Sequence, residues 1–474
     1  PAGASDRRCQ IEPTVLLALP NYHDAGKYVD VSPTIEAVAT ASQLTKVVLI
    51  SDEIPDSLAA YPCTTFEQWL APYQAETIQF NRLPFDAPMV ILFSSGTTGK
   101  PKCIVHTGAG LLLQHKKEQT LHCDIRNGER FFYFTTCGWM MWNWQVSGLA
   151  LGATLITYDG SPFHPEPTRL LDVIDADEIS VFGTSAKYID ACLKAELKPK
   201  QSHQLNKLRL ILSTGSPLIP SSFDYIYRDW KADLHLASIS GGTDICACFL
   251  GGNPTMPVYR GEMQCIMLGL DVVSMGDDGQ ALLDEPGELV CRNAHLSMPI
   301  GFWGDEDGRR YQAAYFERFP NMWAHGDFVV RHSSTRGFVI HGRSDTTLNP
   351  GGVRIGTAEI YRQVETIDAV EEAIAVGQEW DGDTRIILFV KLRDGNELSD
   401  ELVQQIRANI RRGATPRHVP AKIIAIEAIP RTRSGKISEI AVRDTIHGRA
   451  VKNTTALANP ESLELYKNLD KLSE

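Results

Sequence analysis

The sequence predicts an α/β protein in two unequal parts. A large N-terminal domain is expected over residues 1–344, with doubly wound, mostly parallel sheets and a β-rich portion from about residue 255. A small α+β C-terminal domain is expected over 345–474. Three observations carry this reading. Between residues 130 and 240, short apolar β-branched runs alternate with helix-patterned stretches, as parallel strands with crossover helices require. From about 255, Gly and Pro punctuate short strand-like runs instead. At 474 residues the chain is also too long for a single core.

Taken in order, residues 30–43 carry a helical pattern with Ser32 as N-cap before Pro33, and Thr45 to Ser51 reads as a strand. Met89 to Phe93 is an apolar run expected as a buried strand. Further strands are expected at Phe131–Thr135, Ala153–Tyr158, Ile179–Phe182, Leu208–Leu212 and Leu234–Ile239, with helical stretches at 167–176 and 185–197 between them. In the β-rich part, Glu288–Cys291 is a short strand, and Phe328–Arg331 pairs with Gly337–His341 across Ser333 to Arg336. The last part reads as helix 357–366, strands 370–376 and 385–392, helix 399–412 and strand 422–426. No low-complexity linker and no internal repeat occurs, so the boundary is short.

Composition narrows the function class. Apolar content of 43% and charged content of 22% fit a globular protein, and the net charge of −12 argues against nucleic acid or an anionic membrane as partner. A small anionic substrate must then be met by a local basic site. No apolar run reaches the roughly 18 residues of a membrane span. The 10 cysteines form no Cys-x-x-Cys pair, which points to packed free thiols in a reducing, cytoplasmic setting and away from a zinc site.

The chemistry concentrates in a few loops. Residues 94–102, Ser-Ser-Gly-Thr-Thr-Gly-Lys-Pro-Lys, follow the apolar run and combine hydroxyls, glycine-freed backbone amides and two lysines. That set holds polyphosphate, although it is not a Walker A loop. A plain surface turn is the bland alternative. Two polar turns, Ser213 to Pro217 and Ser240 to Asp244, follow predicted strands, where open α/β sheets bind nucleotides and where ordinary reversals also occur. His325-Gly326-Asp327, Gly342 to Asp345 and Asn349 to Ile355 add acidic and basic groups, and Pro430 to Lys436 is a basic loop.

In this order, the loops resemble the adenylate-forming superfamily of acyl-CoA synthetases, peptide-synthetase adenylation domains and luciferases. The resemblance implies ATP, Mg2+ and CoA as cofactor and co-substrates. It implies that Ser94, Ser95, Gly96, Thr97, Thr98, Gly99, Lys100 and Lys102 hold the phosphates, and that Gly215, Ser216 and Pro217 flank adenine. Ser238, Ile239, Ser240, Gly241, Gly242 and Thr243 would border the nucleotide, with Thr243 and Asp244 toward Mg2+; Asp244 stands where the superfamily usually has glutamate. Asp327 would accept the ribose hydroxyls, Arg343 would be a second ribose contact and Arg354 a phosphate ligand. Asp345 would be the hinge of a mobile small domain, and Lys436 the catalytic lysine bridging substrate carboxylate and α-phosphate.

Three stretches narrow the family. Cys137 to Trp144, Ile239 to Asp244 and Asn459 to Tyr466, together with Tyr158 to Pro162, look like the acetoacetyl-CoA synthetase family. Membership implies an ATP-dependent acid–thiol ligase acting on small molecules, with neither nucleic acid nor membrane as partner. A ligase for another short carboxylic acid, or a nucleotide-binding fragment without activity, stays open here. Trp139, Met141, Trp142 and Gly241 are the expected acyl-pocket walls. Acetyl-CoA synthetases carry a tryptophan at the position of Gly241, so the glycine is expected to leave space for a larger acid. That family also has a sizeable segment before the point where this sequence starts, and the first sheet is expected to be incomplete without it.

Overall fold

The computed structural model describes residues 10–42, 44–74, 76–93, 102–348, 350, 355–381, 383–432, 435–451 and 454–473. The first sheet is parallel and ordered β1 (Val15–Ala18), β2 (Lys46–Leu49), β3 (Cys63–Thr65), and α1 (Ser32–Ala41) packs Ile35 and Val38 into the same core. Ser32 is not the N-cap. It is the first helical residue; the N-cap is Val31, which has no polar side chain to cap with, and the Ser32 N–H donates to Asp30 Oδ1 at 2.9 Å.

The apolar run forms β4 (Pro88–Phe93), which pairs antiparallel with β5 (Cys103–Thr107). Residues Gly301–Phe302 take the other side of β5, which leaves β4 at the edge of its sheet. The expected buried strand is therefore half-buried, with Met89 72% exposed. An apolar run does not by itself tell an edge strand from a central one.

Helix α2 (Gly108–Leu121) follows, with the Thr107 hydroxyl accepting from the Gly110 N–H. The central sheet then runs through β6 (Arg130–Tyr133), α3 (Met141–Val146), β7 (Thr154–Ile156), α4 (Arg169–Ala176), β8 (Val181–Ser185), α5 (Ala186–Lys194), β9 (Leu210–Thr214) and β10 (His235–Ser238). All five strands are parallel, in the order β10-β9-β8-β6-β7. Alternation splits their side chains between two cores: Phe132, Phe182, Ile211 and Leu236 on one face, Phe131, Tyr133, Val181, Leu210 and Leu212 on the other. Both faces are covered, as a parallel sheet requires. The strand order reverses at β6, which opens a crevice at the carboxyl ends of the strands.

Beyond β10 the chain makes an antiparallel hairpin of β11 (Ser240–Gly242) and β12 (Ala247–Gly251), with Gly241 opposite Cys248. An antiparallel sheet then takes in β13 (Val272–Met275), β14 (Pro286–Cys291), α6 (Arg309–Tyr315) at its side, β15 (Trp323–Arg331) and β16 (Phe338–Arg343). The expected β15–β16 hairpin is present and longer, reaching Asp327 opposite Arg343. The chain ends in α7 (Thr357–Val364), β17 (Val370–Trp380), β18 (Asp383–Leu392), α8 (Asp400–Gly413), β19 (Lys422–Ala425) and α9 (Glu439–Ile446). Its sheet is ordered β17-β18-β19, with a core on each face.

Candidate active site

The crevice at the carboxyl ends of β6, β9 and β10 collects the turns singled out in the sequence. β9 leads into Gly215, whose φ of +89° is a left-handed backbone that favours glycine. The Ile239 N–H donates to Ser213 O at 2.9 Å and the Thr214 hydroxyl donates to Ile239 O at 2.8 Å, which ties the two adjacent turns together. Ser216 is exposed, while Pro217, Ser238 and Ser240 are half-buried beside it. Trp139, in the loop after β6, lies 3.7 Å from where a Cβ on Gly215 would stand.

The second turn ends in a charged cluster at Asp244. Lys102 Nζ lies 3.1 Å from Asp244 Oδ1, and the Tyr315 hydroxyl donates to the same oxygen. Burial works against the Asp244 carboxylate, but Lys102, His325 and Tyr315 outweigh it and hold its pKa below the usual carboxylate range. Tyr315 is fixed by stacking on Trp323 at 3.7 Å between centroids. The Thr243 carbonyl accepts from His106 Nε2 at 3.1 Å, and burial pushes the His106 pKa down to about 4, so that ring is neutral at pH 7. Gly242 sits so close to His325 that a Cβ would meet its Cε1 at 2.8 Å.

Asp327 is buried in the middle of β15, and Arg343 Nη1 donates to its Oδ1 at 3.1 Å and to the His325 carbonyl at 3.2 Å. A side chain at Gly326 would strike Arg343 Nη2 at 2.6 Å, so the glycine is what lets the guanidinium lie across the strand. The Gly326 N–H in turn donates to buried Glu288 at 2.7 Å. Arg343 Nε also lies 3.7 Å from Asp345 Oδ1.

Lys436 enters from the C-terminal part of the chain. Its loop is closed by the Thr432 N–H on Lys436 O at 2.8 Å and the Lys436 N–H on Thr432 Oγ1 at 3.1 Å. Arg431 Nη1 donates to Gly435 O at 2.8 Å and anchors the turn. The Lys436 side chain reaches solvent, yet it is crowded by protein: burial and Arg343 lower its pKa, against Asp327 and Asp244. The fold thus brings Lys102, Thr243, Asp244, Asp327, Arg343 and Lys436 to one crevice. Ser94, Ser95, Gly96, Thr97, Thr98, Gly99, Lys100 and Arg354 lie outside the described residues.

A family model described as AMP-binding enzyme matches residues 9–300, and one described as AMP-binding enzyme C-terminal domain matches 362–436. The chain is 55% identical to the acetoacetyl-coenzyme A synthetase of Rhizobium meliloti (strain 1021), over 99% of this chain and 72% of that protein. It belongs to the acetoacetyl-CoA synthetase family of AMP-binding enzymes. It is also 43% identical to the acetoacetyl-CoA synthetase of Mus musculus, over 100% of this chain and 72% of that protein. The acetoacetyl-CoA synthetase structure from Streptomyces lividans superposes with a TM-score of 0.92 at 39% identity, covering 100% of this chain and 73% of that one.

Within this family's architecture, two expected pocket walls need correction. Met141 is 2% exposed and belongs to the core behind the crevice, where it packs with Trp144 and Tyr133. Gly241 does not open space for an acid. A Cβ there would meet the Ala247 carbonyl oxygen at 1.9 Å and Cys248 Cα at 2.7 Å, so the position faces the backbone of β12. The glycine serves the close approach of two strands. Trp139 and Trp142 are both half-buried and remain the wall candidates. Sequence reasoning missed Tyr315, Trp323, Glu288 and His106. Tyr315, Glu288 and His106 act through partners far away in sequence, Trp323 acts by stacking on Tyr315, and no local motif marks any of them.

Proposed function

We propose that this chain activates acetoacetate with ATP, giving acetoacetyl-AMP and pyrophosphate, and then transfers the acyl group to CoA with release of AMP. The observation that carries the reading is the approach of Lys436 to Asp327, Arg343 and Asp244, in a chain so close to acetoacetyl-CoA synthetases. In the first step the acetoacetate carboxylate attacks the α-phosphorus and pyrophosphate leaves. Charge grows on the bridging and non-bridging oxygens, and Lys436, a compact and mobile ammonium, neutralises it. Asp327 accepts from the ribose hydroxyls while Arg343 holds that carboxylate in place, and Gly215 to Pro217 border the adenine. The loop from Ser94 to Lys102, with Arg354, holds the phosphates. In the second step the CoA sulfur attacks the acyl carbon and AMP departs.

Asp244 and Thr243 offer hard oxygen ligands that fit Mg2+, which neutralises phosphate charge when bound. Among the described residues no group of three or more His, Cys, Asp or Glu gathers as a metal cage. That suits a cation completed by phosphates and water. The two-part division at 344/345 is supported by the separate cores of the last sheet and by Arg443 Nη1 donating to the Asp345 carbonyl at 3.2 Å beside the proposed hinge. A cytoplasmic setting is supported by the described cysteines, all of which are free thiols. No described helix is long and apolar enough to cross a membrane. Pyrophosphate release with a panel of short acids tests the reading: acetoacetate should be preferred over acetate and butyrate, and release with none of them would overturn it.

A further inference from the structure

The crevice is walled on one side by the tryptophan-rich segment that ends in α3 and on the other by the β11–β12 hairpin. Behind both lies Glu118, on α2, with no exposed surface. Its Oε2 accepts from the Trp144 indole N–H at 2.9 Å, and its Oε1 accepts from the Cys248 backbone N–H at 3.2 Å and from Gln114 Nε2 at 2.8 Å. Lys117 Nζ lies 3.7 Å away. Burial raises its pKa, against Lys117 and these hydrogen bonds, yet every hydrogen-bonding partner is a donor, which the ionised carboxylate satisfies and a protonated one would not. A glutamine could not replace it, because its NH2 end would face a donor.

We propose that Glu118 is a positioning residue that fixes the spacing between the two walls of the acyl pocket, and so helps to choose the acid. Trp144 passes its position on through Tyr133, whose ring lies 6.3 Å from Trp144 and 6.1 Å from Trp139, the residue that faces Gly215. Cys248 is the residue opposite Gly241, where the strands approach so closely that no side chain fits. Gln119 Nε2 adds a second tie to α3, at 2.5 Å from the Trp144 carbonyl. One side chain thus joins three elements. An ion buried so deeply is costly, and an apolar side chain would hold a core together as well. What an apolar side chain cannot do is set the distance from an indole N–H to a backbone N–H.

The proposal rests on the reading of this crevice as the acyl site, and the test separates the two. In E118Q the KM for acetoacetate should rise about tenfold, while the KM for ATP stays within about twofold. The ratio of kcat/KM for acetoacetate over butyrate should change at least about fivefold. W144F removes the indole donor together with part of the buried ring and should shift the ratio in the same direction. The E118Q/W144F double variant should shift it no further than the larger single effect, since both break one contact. H122Q is the control. His122 is on the last turn next to α2, buried as well, and ties α2 to Gly252 O at 2.7 Å and Leu268 N at 2.9 Å, beyond the end of β12 and away from the Gly241–Cys248 approach. It should lower the melting temperature and leave the acid ratio alone. An unchanged ratio in W144F, or an equal change in H122Q, would overturn the proposal even if E118Q fails to fold. If the unmodified protein releases no pyrophosphate with acetoacetate, it is the functional reading that fails.

Discussion

Replacing Gly241 with alanine is expected to lower stability and activity toward all acids together, without retuning their ratio. The added Cβ would stand 1.9 Å from the Ala247 carbonyl oxygen, 2.7 Å from Cys248 Cα and 2.8 Å from the Ala247 carbonyl carbon. None of these atoms is the end of a flexible side chain. Reaching ordinary contact requires β11 and β12 to separate by about 1.5 Å, which undoes the pairing of Gly241 with Cys248 and of Gly242 with Ala247. Overpacking of this kind costs about 1–3 kcal/mol, and each backbone hydrogen bond lost about 1 kcal/mol more, so a total of about 3–5 kcal/mol is expected. The hairpin carries Thr243 and Asp244, so adenylation falls as well. Denaturant unfolding gives the first quantity and pyrophosphate release with acetoacetate and acetate the second. The reasoning is refuted if Gly241→Ala unfolds within about 0.5 kcal/mol of the parent while Gly241→Trp gains acetate and loses acetoacetate.

Lys436→Ala should cut acetoacetate-dependent pyrophosphate release by about 10²–10³-fold, while supplied acetoacetyl-AMP is still converted to thioester; equal losses in both steps would remove the assigned role. Tyr315→Phe deletes a hydroxyl that donates to a carboxylate, worth about 1.5–3 kcal/mol, so kcat/KM for ATP should fall about tenfold or more; unchanged ATP kinetics would separate Tyr315 from the site. His115, 1% exposed, donates from Nε2 to the Cys246 carbonyl at 2.6 Å and bonds Ser147 Oγ through Nδ1 at 2.8 Å. Burial, with His106 and Lys117 nearby, lowers its pKa to about 4. The unfolded chain therefore binds the proton first, and stability is lost as pH falls from about 6.5 toward 4. His115 alone should account for about 2 kcal/mol between pH 7 and pH 5, a slope that His115→Gln removes from urea titrations at the two pH values.

The sheet was readable because its strands alternate between two fully covered faces. Phe131 and Phe132, or Leu210, Ile211 and Leu212, announce burial on both sides without any long-range information. The same reasoning failed at Met89 to Phe93, where apolar content is high but the strand lies at an edge, a property set by which segment pairs next to it. The charged residues of the crevice were legible from their ordered motifs: Asp244 closes a polar turn after an apolar strand, Asp327 and Arg343 lie in the short glycine-containing runs His325 to Asp327 and Gly342 to Asp345, and Lys436 sits within a basic run. Gly241 shows the limit of that approach. Comparison of side-chain size suggested an enlarged pocket, whereas the direction of the Cα–Cβ bond, which no sequence records, turns the position into the neighbouring strand. Tyr315 and Glu118 were invisible for a related reason: their roles are defined by contacts to Asp244, and to Trp144 and Cys248, all distant in sequence.

The two half-reactions make opposite demands on the last part of the chain, and the contacts away from the hinge reflect this. On the proposed reading, Lys436 reaches the α-phosphate in one step and leaves room in the other. In the orientation seen, Lys194 on α5 donates to the Glu371 carbonyl at 3.1 Å, and Lys187 lies 4.0 Å from Glu372, which Arg431 also holds. Both lysines keep appreciable solvent exposure, and such pairs are worth about 0–1 kcal/mol each. Contacts this weak bias the orientation without locking it: about 1 kcal/mol shifts a two-state population roughly fivefold. A dry apolar interface would trap the lysine over the phosphates. Replacing Lys187 and Lys194 together by alanine should therefore slow pyrophosphate release by about two- to fivefold. Thioester formation from supplied acetoacetyl-AMP should hold steady or rise. Raising the salt should reproduce part of the effect in the parent protein and little of it in the double variant, because the pairs that salt screens are already gone. If thioester formation falls in step with adenylation, these lysines support the fold alone and the orientation is chosen elsewhere.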